Sequence, residues 1–152
     1  MKPSAPAPAI RPRHDSTLAE IDALEDRLYE HNRAATGRDD GAGLGFVVHD
    51  DAGALIGAVA GHSWAGMAEI VQLWVDKAHR GKGLGRSLIE AAKSEAAARG
   101  CVSVFVMSYD FQAPGLYEKC GFRRVAEVEG WPPGHAHVAL RLDLAGAPAP
   151  KS

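Results

Sequence analysis

The stretch of this sequence best suited to chemistry with a charged ligand is Arg80-Gly81-Lys82-Gly83-Leu84-Gly85. Three glycines in five residues remove the side chains that would hold an anion away from the backbone. The helical pattern that opens at Leu84 aims its unpaired N–H groups and the positive end of its dipole at the same spot. Arg80 and Lys82 add charge, so a turn of this composition is expected to bind phosphate. Spacing excludes two nucleotide motifs. The third glycine of a G-x-G-x-x-G run from Gly83 would have to fall at Leu88, and no G-x-x-x-x-G-K-[ST] reads through the turn. A second candidate is Glu69, a carboxylate inside the otherwise apolar run Met67 to Val75, where burial would work against the charged form and suit it to accept a proton. The competing reading is an edge-strand glutamate that faces water.

These residues need a strand, a turn and a helix to hold them. Met67 to Val75 reads as the strand, and Leu84 to about Arg99 as the helix, with Leu88, Ile89 and Ala92 at core spacing and Gly100 closing its end. Upstream, Leu44 to His49 and Leu55 to Ser63 complete a three-stranded meander through turns at Asp50–Gly53 and Trp64–Gly66. Earlier still, Ile10 to Arg13 suggests a short edge strand, and Ser16 or Thr17 with Glu20 a capped helix to about Ala35. The polar stretch Arg33 to Gly45 reads as a loop long enough to lie over a site. Downstream, Cys101 to Met107 reads as a strand buried on both faces and parallel to Met67–Val75, because a helix crosses over between them. Pro114 to Lys119 reads as a short helix, with Phe122 to Val128 and His137 to Leu144 as the last strands. The expected fold class is α/β, one mixed central sheet with helices on both faces.

Composition narrows the function. A chain of 152 residues, 46% hydrophobic, has core enough for one domain, expected over residues 10–144 between Ala/Pro tails at 1–9 and 145–152 that cannot bury enough surface to order themselves. A formal net charge of −2 with interspersed signs offers no basic stripe for nucleic acid. Pro3, Pro6 and Pro8 break the N-terminus where a signal peptide would need an apolar run, and no segment is long enough to span a bilayer, so a cytoplasmic protein with no membrane partner is expected. Cys101 and Cys120 have neither disulfide-framework nor zinc spacing, and His135 and His137 lack a third ligand, so no metal is expected.

Arg80-x-x-Gly83-x-Gly85 after a strand, followed at a distance by Leu116-Tyr117-Glu118-Lys119-Cys120-Gly121-Phe122, resembles the GNAT superfamily of acetyl-CoA-dependent N-acetyltransferases. The resemblance covers roughly Leu44 to Leu144. It implies a sheet whose parallel strands splay to admit acetyl-CoA (coenzyme A) as cosubstrate. On that likeness the backbones of Arg80, Gly81, Lys82, Gly83, Leu84, Gly85 and Arg86 would hold the pyrophosphate, and Leu73, Trp74 and Val75 the pantetheine arm. Asp110 stands where many members carry an asparagine that contacts pantetheine or acetyl. Tyr117 matches the family's frequent general acid, Leu73 N–H would polarise the thioester carbonyl, and Glu69 lies where one branch carries its base.

For the acceptor, Tyr29, Asp39, Asp40, Trp64, Asp110, Glu129, Trp131 and His135 fall in loops or strand ends that such a fold could gather. Acid plus aromatic suits a cationic small-molecule amine such as an aminoglycoside antibiotic or a polyamine. A protein or peptide N-acetyltransferase, a non-catalytic acyl-CoA sensor, an interaction domain pairing through an exposed strand, and a homodimer all stay open.

Overall fold

The computed structural model describes residues 7–12, 14 and 19–145. The expected cap at Ser16 or Thr17, Arg13 of the expected edge strand, and residues 1–6 and 146–152 of the two tails lie outside the described residues. Residues 10–12 form no strand, against the sequence expectation.

The chain divides between Arg38 and Asp39 into two compact units. The first holds α1 (Ala19–Asp22) and α2 (Leu24–Thr36), two pieces separated by a turn at Ala23 where the pattern suggests one helix. Glu25 and Asp26 in the first turn of α2 and Arg33 in its last complement the helix dipole. Gly37 N–H closes the helix on Arg33 O at 2.8 Å. Because α2 continues to Thr36 and the next strand starts at Ala42, the long loop expected over 33–45 shrinks to residues 37–41.

The second unit is a six-stranded mixed sheet of order β1-β2-β3-β4-β6-β5. Its strands are β1 (Ala42–His49), β2 (Leu55–Trp64), β3 (Met67–Val75), β4 (Ser103–Tyr109), β5 (Arg123–Glu129) and β6 (Ala136–Asp143). Helix α3 (Leu84–Ala98) crosses from β3 to β4, which makes that pair parallel while all others are antiparallel. Strand β4 begins two residues later than expected because Cys101 and Val102 are still leaving the helix: Cys101 N–H bonds Ala96 O at 2.9 Å and Val102 N–H bonds Gly66 O at 2.7 Å. Alternate residues of the sheet, Val59, Ala68, Ile70, Val104, Val106, Val138 and Leu140, pack with Leu88, Ile89, Ala92 and Ala96 of α3. Tyr117 of α4 (Pro114–Lys119) and Phe122 join the same core. Lys93 ties the two helices together, donating to Glu90 Oε1 at 3.0 Å and to Cys120 O at 2.8 Å.

Two irregularities position the site. Between Ala60 and Gly61 the β2–β3 register shifts, leaving Val71 as an extra residue on β3. The backbones come so close there that a Cβ on Gly61 would overlap Glu69 O, so only glycine fits. On the other side of β3, the parallel pairing with β4 runs from Met67↔Ser103 only to Ile70↔Val106. Beyond that point the two strands part.

Candidate active site

The glycine turn sits at the open end of β3. Asp76 Oδ2 caps the 3₁₀ turn Lys77–His79, accepting from Ala78 N–H at 2.9 Å and meeting His79 Nδ1 at 3.0 Å. The His79 contact, then the Ala78 bond, holds the Asp76 carboxyl below the usual carboxylate range. Arg80 Nε donates to Val75 O at 2.9 Å and pins the turn to the strand end. Gly83 is the N-cap of α3 at φ +83°, a conformation that costs a side-chain-bearing residue about 1–2 kcal/mol. An added Cβ at Gly81 or Gly83 would meet nothing within 4 Å, and no side chain caps the helix. The first N–H groups of a 15-residue helix are thereby left facing open space, which is the arrangement that accepts an anion.

Where β3 leaves β4, its backbone groups lose their ladder partners. Asp76 N–H still bonds Ile56 O of β2 at 2.8 Å. By antiparallel alternation Trp74 and Gln72 face β2 as well, and Leu73 and Val75 turn their N–H and C=O groups into the gap. Arg80 occupies the Val75 carbonyl, so the N–H and C=O of Leu73 and the N–H of Val75 are the groups directed at a ligand. Trp74, expected beside them as a cofactor contact, directs its backbone to β2 and carries a side chain that is exposed.

Tyr117 packs in the core with residues of α3, buried, with its ring edge-on to Phe122 at 5.4 Å between centroids. Burial, with a small contribution from Cys120, pushes its hydroxyl up to about 12, so it stays protonated at any working pH. Glu69 lies on the opposite face, one residue before the pairing with β4 ends. The burial expected for it is not there: its side chain is 42% exposed and meets His62 Nε2 across the β2–β3 ladder at 3.4 Å. Together with Trp64, Met67, Ala68 and Phe105 the two line a cleft of about 260 Å³.

The residues expected to line one acceptor site separate into groups. Trp64 is at the Glu69 cleft. Asp40 Oδ1 accepts Ala65 N–H at 3.2 Å and so braces the turn that follows Trp64, with Asp39 exposed beside it. Asp110, Trp131 and His135 gather instead at the far end of β4, about 13 Å along the strand from Phe105 at 3.3 Å per residue. There Tyr109 stacks on His137 at 3.9 Å and on Phe111 at 5.2 Å, with Trp131 edge-on to both Tyr109 and His137. Asp110 acts as a clamp: Oδ1 meets His135 Nδ1 at 2.9 Å and Oδ2 accepts Ala136 N–H at 3.0 Å. Both carboxylate oxygens thus hold the start of β6. Glu129 pairs with Ala136 at the exposed end of the β5–β6 hairpin, and Tyr29 belongs to the first unit.

The acetyltransferase (GNAT) family model matches residues 10–122. The chain belongs to the GNAT acetyltransferase family. It is 42% identical over 95 residues to the blasticidin-S acetyltransferase of Streptomyces morookaense, covering 60% of this chain and 68% of that one. With the streptothricin acetyltransferase of Escherichia coli it shares 38% identity over 71 residues, 45% of this chain and 41% of the relative. The crystal structure of a candidate acetyltransferase from Agrobacterium tumefaciens superposes with a TM-score of 0.81 at 26% identity, over 90% of this chain and all of that one.

This GNAT protein is therefore an acetyl-CoA-dependent N-acetyltransferase. Its residues suit the cosubstrate, since open space at Gly81 and Gly83 leaves room for phosphate oxygens against backbone N–H groups. Among the described residues no helix is long and apolar enough to cross a membrane. His62, Met67, Ala68 and Phe105 are the cleft residues that reading the sequence missed. Register was the available signal, because a hairpin closing at Trp64–Met67 puts His62 beside Glu69 once the strands are counted back from the turn.

Proposed function

We propose that the enzyme transfers the acetyl group of acetyl-CoA to a primary amine on a cationic small molecule, an amine-bearing antibiotic or a polyamine. The observation that carries this reading is the Glu69 cleft, where a carboxylate sits among Trp64 and Phe105 beside the point at which β3 and β4 part. Such a lining attracts an ammonium group by Coulomb and cation–π terms. Blasticidin-S and streptothricin acetyltransferases among the relatives support an antibiotic as acceptor. Two free thiols, Cys101 and Cys120, suit work in the reducing cytoplasm.

In this reading the two substrates approach from opposite sides of the sheet. Glu69, on the open face, takes the proton of the incoming ammonium and frees the nitrogen lone pair for attack on the thioester carbonyl. Leu73 N–H, directed into the gap, donates to the carbonyl oxygen as negative charge develops there. Tyr117, on the α3 side, meets the sulfur as the carbon–sulfur bond breaks. An ordinary thiol titrates at about 8.5, below the Tyr117 hydroxyl, so Tyr117 supports the leaving thiolate mainly as a hydrogen-bond donor while water completes the protonation.

A thiol-release assay with acetyl-CoA and a panel of aminoglycosides, blasticidin S, streptothricin, polyamines, amino acids and N-terminal peptides tests the assignment. Turnover with polycationic small molecules is expected, and rising salt should raise KM for the amine more than for acetyl-CoA. Release with peptides alone, or a KM for the amine that ignores salt, would overturn it.

A further inference from the structure

We propose that His62 works with Glu69 as a proton relay: the proton that Glu69 removes from the acceptor ammonium passes to His62 Nε2 and is then released from Nε2 to water, which returns the ring to the tautomer that can accept again. The proposal rests on the reading of Glu69 as the base and adds the group that resets it. His62 and Glu69 are direct cross-strand partners, with Nε2 and Oε2 3.4 Å apart. Both are half-exposed, at 54% and 42%, so the pair reaches the cleft on one side and water on the other.

Among the described residues they are the only titratable side chains lining the cleft, whose other walls are Trp64, Met67, Ala68 and Phe105. Charged groups on the neighbouring strands have other partners. Across β2 from His62 stands Gly43 of β1, which has nothing to titrate. Arg141 of β6, opposite Phe105, donates to Asp143 at 2.8 Å and to Ser103 Oγ at 2.7 Å, and Arg123 of β5 donates to Asp143 at 3.3 Å. Asp40 at the β2–β3 turn braces Ala65 N–H.

The step balances. An ammonium N–H bond breaks as an O–H bond forms on Glu69, and that O–H breaks as Nε2–H forms on His62. The carboxylate then faces an imidazolium until the imidazolium gives its proton to water. A base that stayed protonated would block the next turnover, and the cross-strand imidazole is the acceptor placed beside it.

The experiment follows the pH dependence of kcat/KM for one accepted amine in the full chain. In His62→Gln the acid limb should move to lower pH and the plateau should fall by about tenfold. Acetyl-CoA affinity and melting temperature should hold. In His62→Ala added imidazole should restore rate, a response that a merely structural histidine would not give. An unmoved limb in His62→Gln together with no imidazole rescue would overturn the relay while leaving the enzyme assignment standing. A wild-type rate that survives Glu69→Gln unchanged would sink the reading of Glu69 as base, and the relay with it.

Discussion

In the proposed reading, the glycine turn and the Glu69 cleft recognise their ligands by different means. At the turn, recognition falls to backbone: uncapped N–H groups at the start of α3, Leu73 and Val75 facing the gap, and glycines whose contribution is the absence of a side chain. At the cleft it falls to side chains, His62, Trp64, Glu69 and Phe105, drawn from three strands and brought together only by register. A backbone site is written in a short contiguous motif and tolerates change around it. A side-chain site is dispersed, and changing its lining changes which acceptor it takes.

That contrast can be broken first at the chemistry. Tyr117→Phe keeps the buried ring against Phe122 and removes only the hydroxyl, so kcat should fall by about 10²–10⁴ with acetyl-CoA affinity unchanged. Glu69→Gln should also lower kcat near neutral pH, yet recover at high pH, where the amine arrives already neutral. The tyrosine variant should show no such recovery. Equal rescue of both by alkali would mean that Tyr117 and Glu69 do not have separate roles in the reaction.

A smaller loss is expected at the turn. Gly83→Asp and Gly83→Asn impose the same left-handed backbone, but only aspartate sets a negative charge against the phosphates. Calorimetry should show acetyl-CoA affinity falling about 100-fold further for aspartate than for asparagine. Equal losses would reduce the turn to a conformational requirement.

The smallest effect lies outside both regions and checks that they sit on an independent frame. Hydrogen bonds from Arg141, then Ser103, hold the Asp143 carboxyl down to about 2. A group depressed below its unfolded value stabilises the fold above that unfolded value, near 3.8, and loses the contribution as pH falls towards 2. Asp143→Asn should therefore melt slightly lower than wild type at pH 7, with the difference closing between pH 4 and 2. A gap that persists at pH 2 would point to packing instead.

Most of the scaffold could be read from the sequence because its signals are local. The run Met67 to Val75, the glycine turn and the amphipathic pattern of α3 each specify an element without help from elsewhere, and β3 matches its expected bounds. What could not be read depends on partners distant in the chain. The start of β4 slipped from Cys101 to Ser103 because Gly66 and Ala96 claim the intervening N–H groups. That Asp110 holds His135 and Ala136 on its two oxygens depends on residues 25 and 26 positions away. The pairing of His62 with Glu69 required the register of a hairpin, which a one-residue error would have turned to the other face.

The extra residue on β3 carries a consequence for how stability and binding are linked. By absorbing Val71 on its β2 side, the strand bends away from β4, and the sheet forgoes the ladder bonds that Val71–Val75 and Met107–Tyr109 could have made. The free enzyme thus holds an unsealed seam through its centre. An extended arm with amide groups, laid along Leu73 and Val75, would act there as a borrowed strand, so the ligand completes the fold as well as occupying a site. Any change that let the seam close by itself would make a sturdier protein with no place left for its cosubstrate.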